Sequence, residues 1–206
     1  MTKLIAPIIS VFTIFIAISA AHAWLFYSKP EFRGQVIDSE TKQPVEGAVV
    51  VVLYERWKFG GPGGGNTTPM DAKETLTDKN GAFYFPSYNT LIGPLSKVAD
   101  ASFIIFKPGY MSITRLEGAK IPEERRFAIG KDMLGKEGEI KYVDRWGTTV
   151  TWKGLMGVVT LKKAITREER WKAPMVPTFS LKSKDLPVLY KAINDAEKNL
   201  KKEGIR

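Results

Sequence analysis

Phe32-Arg33-Gly34-Gln35-Val36-Ile37-Asp38, then Ser39-Glu40-Thr41-Lys42, then Val49-Val50-Val51-Val52-Leu53-Tyr54 beyond Pro44 and Gly47: the reading of this stretch decides the fold. The first run sets Phe32, Gly34 and Val36 on one face of a strand, and the four polar residues after it carry turn chemistry. The valine run is too β-branched for a comfortable helix and too short to span a membrane, so it reads as a central strand. Downstream, Thr75-Leu76-Thr77 leads through Asp78-Lys79-Asn80-Gly81 into Ala82-Phe83-Tyr84-Phe85. Asn-Gly is a strong turn signal, so these two pieces are expected to pair as a hairpin, with Asp78 accepting hydrogen bonds from the turn backbone. A fourth strand, Ala101 to Phe106, is stopped by Lys107-Pro108-Gly109-Tyr110, because proline lacks a ladder donor and glycine accepts a turn conformation. Short strands divided by turn signals predict a mainly β fold, a β-sandwich.

The order Phe32-x-Gly34-x-Val36-x-Asp38, Thr41, Pro44-x-x-Gly47-Ala48-x-Val50, Thr77-Asp78-x-x-Gly81-x-Phe83 and Phe106-x-x-Gly109-Tyr110 resembles the carboxypeptidase regulatory-like domain family. The resemblance covers about half of the 206 residues. It implies a prealbumin-like β-sandwich in which the Pro-x-x-Gly-Ala piece enters the second strand and the Thr-Asp-x-x-Gly-x-Phe piece is a hairpin turn. Gly-Tyr then ends a later strand, and Val158-Val159-Thr160-Leu161 is the expected closing strand. The resemblance further implies an accessory module of a secreted or surface protein, without catalytic residues of its own. The chain departs from the pattern twice, with a long glycine-rich loop from Glu55 to Glu74 and an inserted segment between Tyr110 and the closing strand.

Composition narrows the function classes. The chain has 31 basic and 22 acidic side chains, a net charge of +9, which suits anionic lipid, anionic glycan or nucleic acid. It has no cysteine, which excludes disulfides, thiol nucleophiles and thiolate metal sites. Its single histidine, His22, lies in an apolar N-terminal stretch. Residues 1–23 carry Lys3, the apolar run Leu4 to Ala21 and the small-x-small site Ala21-His22-Ala23, the pattern of a secretory signal peptide. The alternative is an uncleaved anchor, since Leu4 to Phe26 is long enough to cross a bilayer. Cleavage after Ala23 removes the last imidazole, and with it the usual general base and metal ligand. An exported chain rarely meets nucleic acid, so an envelope protein or an anionic glycan or lipid surface is the expected partner.

Residues 24–31 form a lead segment, 32–162 the β-sandwich domain, and 163–206 a basic tail. Within the domain, Trp57-Lys58-Phe59 precedes Gly60-Gly61-Pro62-Gly63-Gly64-Gly65-Asn66, a composition that is costly to order. The absence of a Gly-Lys-Ser/Thr ending rules against a phosphate-binding loop. Ser87 to Ala99 reads as a crossing loop, Met111 to Leu116 as an edge strand, Ile121 to Phe127 as a short helix start, and Ile140 to Asp144 with Thr148 to Lys153 as a small hairpin around Trp146. In the tail, Thr166 and Glu169 have capping-box spacing. Leu186, Leu189, Tyr190, Ile193, Ala196 and Leu200 make an apolar stripe after Asp185, a candidate N-cap, and Pro187, with Gly204 as the stop. That stripe needs a surface to bury it, and the sheet of its own chain is the expected one.

No catalytic-histidine motif, nucleophile elbow or metal-ligand cluster is present, and the carboxylates are scattered, so no catalytic, cofactor or metal site is expected. The expectation is a non-catalytic exported module with a binding or structural role at the cell envelope, periplasmic or extracellular. The alternative is a carbohydrate-binding module. Candidate contact residues are Trp57, Phe59, Trp146 and Trp171, each equally able to pack on the fold.

Overall fold

Alternating and β-branched runs dictate a mainly β architecture, and the computed structural model of the chain, which describes residues 26–29, 31–61, 64–92, 96–113, 140–143, 149–153, 156–176 and 184–205, has it. The strands are β1 (Phe26–Lys29), β2 (Phe32–Asp38), β3 (Val49–Phe59), β4 (Gly65–Leu76), β5 (Ala82–Phe85), β6 (Tyr88–Leu91), β7 (Ser96–Phe106), β8 (Ile140–Val143), β9 (Thr149–Lys153) and β10 (Met156–Leu161). Helices α1 (Arg167–Lys172) and α2 (Pro187–Lys202) follow. A five-stranded sheet has the order β5-β2-β10-β9-β8, a three-stranded sheet the order β4-β3-β7, and β1 and β6 form a separate ribbon.

The two larger sheets share one apolar core. Period-two alternation sends Phe32 and Val36 of β2, Phe83 and Phe85 of β5, and Val159 and Leu161 of β10 to meet Val50, Val52, Phe103 and Ile105 of the other sheet. The other face of β3 and β7 is apolar too, with Val49, Val51, Leu53, Ile104 and Phe106, and α2 covers it with Leu186, Leu189 and Ile193. A valine run buried on both faces is the reason alternation is missing from residues 49–53. The expected helix stripe therefore docks on its own sheet. The expected strand 158–161 is also found, within β10, which lies inside its sheet, parallel to β2 and antiparallel to β9. The small hairpin of β8 and β9 is present as expected.

Several expectations need correction. Residues 75–77 and 82–85 do not pair: β4 bonds to β3 whereas β5 bonds to β2, so the Asp78-to-Gly81 turn carries the chain between sheets. The turn chemistry itself is as expected. Asp78 Oδ1 accepts from the N–H of Asn80 and of Ala82, each at 2.8 Å. Gly81 has φ of +70°, and a Cβ there would lie 2.3 Å from the Val36 carbonyl. A turn signal specifies a reversal and leaves the partner strand to the core. The supposed loop from Glu55 to Glu74 is mostly ladder: β3 and β4 pair from Val49 opposite Leu76 to Phe59 opposite Gly65, and only residues 60–64 connect them. Polar Thr67 and Thr68 hid a strand because β4 is an edge strand of its sheet, paired to β3 alone, with little to bury. The crossing loop 87–99 contains β6 and the start of β7, and the lead segment contains β1. Of the expected edge strand 111–116, the described part makes one bridge, Ile113 with Ile105. The expected helix start at 121–127 lies outside the described residues.

Helix α1 has its capping box, Thr166 with Glu169. Helix α2 differs at its start. Leu186 occupies the N-cap position and has no side-chain acceptor, so the Glu74 carboxylate of β4 accepts from the N–H of Val188 at 2.7 Å and of Leu189 at 3.0 Å. Asp185 is displaced from that role by an acid 111 residues earlier, which also places negative charge at the positive helix end. Among the described residues no helix is long and apolar enough to cross a membrane.

Candidate functional site

The least expected chemistry lies where the ribbon meets the three-stranded sheet. Antiparallel pairing sets Lys29 of β1 directly across from Tyr88 of β6, and Tyr54 of β3 across from Asp71 of β4, beside a register irregularity after Tyr54. The two pairs meet. Lys29 Nζ donates to Asp71 Oδ2 at 2.8 Å and to the Tyr88 hydroxyl at 2.6 Å, and that hydroxyl donates to the same Asp71 oxygen at 2.5 Å. The ammonium also lies 4.1 Å from the Tyr54 ring centre and 4.5 Å from that of Tyr88, the two rings being perpendicular and 5.7 Å apart. Lys29 is fully buried, whereas the Asp71 side chain is about one-third exposed.

Burial pushes the Lys29 pKa below its ordinary value, against the opposing pull of Asp71. Desolvation acts to raise Asp71, but the hydrogen bonds from Lys29 and Tyr88 outweigh it and hold the carboxyl below the usual range. A reactive lysine needs a neutral amine within reach of a substrate. Here the amine is ion-paired, enclosed by two rings and sealed from solvent. The arrangement does mechanical work: the charge is satisfied only while β1, β6 and the β3-β4 hairpin stay together.

A second buried charge has the same character. Asp38, at the end of β2, accepts from the N–H groups of Glu40 and Thr41, both at 2.9 Å, and from the Tyr110 hydroxyl at 2.9 Å, while Lys163 Nζ stands 3.4 Å away. Desolvation opposes ionisation, yet these donors win and hold Asp38 well below the carboxylate range. Burial, with Asp38 beside it, pushes the Tyr110 hydroxyl up to about 12. Asp38 thus fastens the turn after β2 to the segments that follow β7 and β10. Among the described residues no three His, Cys, Asp or Glu side chains gather as a metal site.

Of the four candidate contact residues, Trp57 is half-buried in β3 with its ring lying on Gly65: a Cβ added there would come within 2.0 Å of the indole. The ring covers a glycine on the neighbouring strand, which is a packing role. Phe59 ends β3, its side chain outside the described residues, and Trp146 lies outside them altogether. Trp171 is on α1 and 40% exposed. Its helix abuts the opposite end of β3 and β7: Phe106, which pairs with Val49, shares a cleft with Pro108, Arg170, Ala173 and Leu200. Trp57 and Trp171 are thus separated by roughly 25 Å of strand, and the structure does not bring them together. The Lys29 cluster was missed because no sequence signal marks it; its partners are 42 and 59 residues away.

Comparison of the chain with protein-family models, with curated proteins and with solved structures finds no match in any of the three.

Proposed function

We propose that this chain is an exported, non-catalytic β-sandwich module of the carboxypeptidase regulatory-like kind, prealbumin-like in topology, which binds or braces a partner at the cell envelope. One observation carries the reading: the residues of the motif words hold positions inside the fold's own hydrogen-bond network. Thr77 Oγ1 donates to the Val45 carbonyl at 2.6 Å and accepts from the Ala48 N–H at 2.8 Å, so the Thr-Asp word fastens the Pro-x-x-Gly-Ala word. Asp78 closes its turn, and Tyr110 of the Gly-Tyr word holds Asp38 of the first. Side chains committed to such contacts shape a scaffold and are not poised for bond-making. The carbohydrate alternative would use neighbouring rings, and Trp57 and Trp171, the two candidates whose side chains are described, stand at opposite ends.

The test is purification from the native envelope after mild crosslinking, with identification of the attached component and mass measurement of the chain's N-terminus. An envelope component captured with a chain beginning at Trp24, or with the anchor retained, supports the reading. Full-length chain in the soluble cytosolic fraction overturns it, as does a reproducible hydrolytic rate abolished by neutralising one acid.

A further inference from the structure

At the corner where α1 and α2 meet, most charges are neutralised in place. Arg170 pairs with Glu203, Lys172 with Glu168, and Lys162 with Glu169 at 2.7 Å. Three cations differ. Arg167 donates to the Gly204 carbonyl at 3.1 Å and keeps its full charge, and Lys201 and Lys202, in the last turn of α2, have no carboxylate partner among the described residues. Arg167 thus reaches the last turn of α2, which carries both lysines: the Gly204 it holds also donates its N–H to the Lys201 carbonyl at 3.1 Å. Trp171 stands four residues after Arg167, on the same face of α1, and is 40% exposed. Ile165 and Met175, on either side of α1, are 65% and 43% exposed. The surrounding tail, residues 162–206, holds 12 basic and 6 acidic residues.

Exposed apolar side chains beside uncompensated cations match the two layers of a lipid interface. An indole seats at headgroup depth, aliphatic side chains reach acyl carbon, and Lys or Arg meets phosphate. A hydrated polyanion satisfies the cations but offers Ile165 and Met175 nothing. We propose that this corner, Ile165, Arg167, Trp171, Met175, Lys201 and Lys202, is a docking surface for anionic phospholipid headgroups. The assignment rests on the envelope reading and narrows it to a membrane-facing side of the molecule.

The chain has no cysteine, so one introduced thiol takes a polarity-sensitive dye without background labelling. The purified full chain is labelled at Met175→Cys, or at Lys79→Cys in the exposed turn between β4 and β5, and titrated with vesicles. Expected is a blue shift at position 175 on phosphatidylglycerol vesicles, little on pure phosphatidylcholine, and none at position 79. Lys201→Gln with Lys202→Gln, both on the surface, is expected to weaken vesicle binding roughly tenfold or more, and Trp171→Ala to weaken it as well. The assignment is overturned by no shift at 175, by an equal shift on neutral lipid, by an unchanged affinity in the double variant, or by a shift that only a soluble anionic polysaccharide produces. Localisation is read separately: recovery of the chain from the cytosol sinks the envelope reading, whereas the vesicle result alone decides the corner.

Discussion

The two ends of the molecule treat charge in opposite ways. Beside the β3-β4 hairpin, Lys29 is sealed between two tyrosine rings and must be answered by Asp71; at the α1-α2 corner, Arg170, Lys172 and Lys162 pair with acids in the open. The pair is costly to break because Lys29, its buried member, is sealed from water, while the surface pairs are screened and interchangeable. At the closed end the charge holds the shape; at the corner the surface pairs leave it little changed.

The sharpest way to break that contrast is Asp71→Ala. It strands the Lys29 ammonium, and with Asp71 partly exposed the expected cost is about 2–3 kcal/mol, read as a lower urea midpoint. Adding Lys29→Met should restore much of the loss; a double variant no more stable than Asp71→Ala alone ends the brace interpretation. Next is Gly65→Val, which drives the Trp57 ring off β4 at an expected cost of roughly 1–3 kcal/mol, with a changed near-ultraviolet dichroism signal. Glu74→Ala removes the acceptor shared by Val188 and Leu189. It should cost about 1 kcal/mol and speed amide exchange in the first turn of α2 only. At the open end, Lys172→Ala should change stability by less than about 0.5 kcal/mol; a larger loss erases the contrast.

Titration sharpens the same comparison. Asp38 and Asp71 have folded values below the ordinary 3.8, so the unfolded chain takes up their protons first as the pH drops. Their contribution is present above about pH 4 and is lost as pH falls toward the folded values. Tyr110 has the opposite sign. Raised to about 12 from 10.0, it contributes stability fully below pH 10 that disappears as pH rises through 12. Asp38→Asn should flatten the acid limb of a urea-midpoint profile against pH, and Tyr110→Phe the alkaline limb.

What the sequence disclosed depends on how local the physics is. The burial alternation of β2, the Asp78 turn, the capping box of α1 and the stripe of α2 all follow from residues within a few positions of one another, and all are where the pattern puts them. What failed is pairing and burial decided at a distance. Thr75-Leu76-Thr77 and Ala82-Phe83-Tyr84-Phe85 have the look of a hairpin, but Phe83 and Phe85 are drawn to the core facing β3 and so join the other sheet. The glycines after Phe59 suggested a loop, though one of them, Gly65, is a strand residue whose missing side chain makes room for the indole of Trp57. Lys29 resembled any surface lysine until Asp71 and Tyr88 closed on it.

The parallel union of β2 with β10 sets a timetable for making the protein. Gly34 lies opposite Gly157, so the first strand of the five-stranded sheet waits for the last before that sheet has an interior. Until β10 arrives, β2 has a ladder partner on one side only, β5, and its other edge stays open to a chaperone or a protease. Shortening that wait, by a circular permutation that makes β10 precede β2, should quicken refolding more than any strengthening of the finished core.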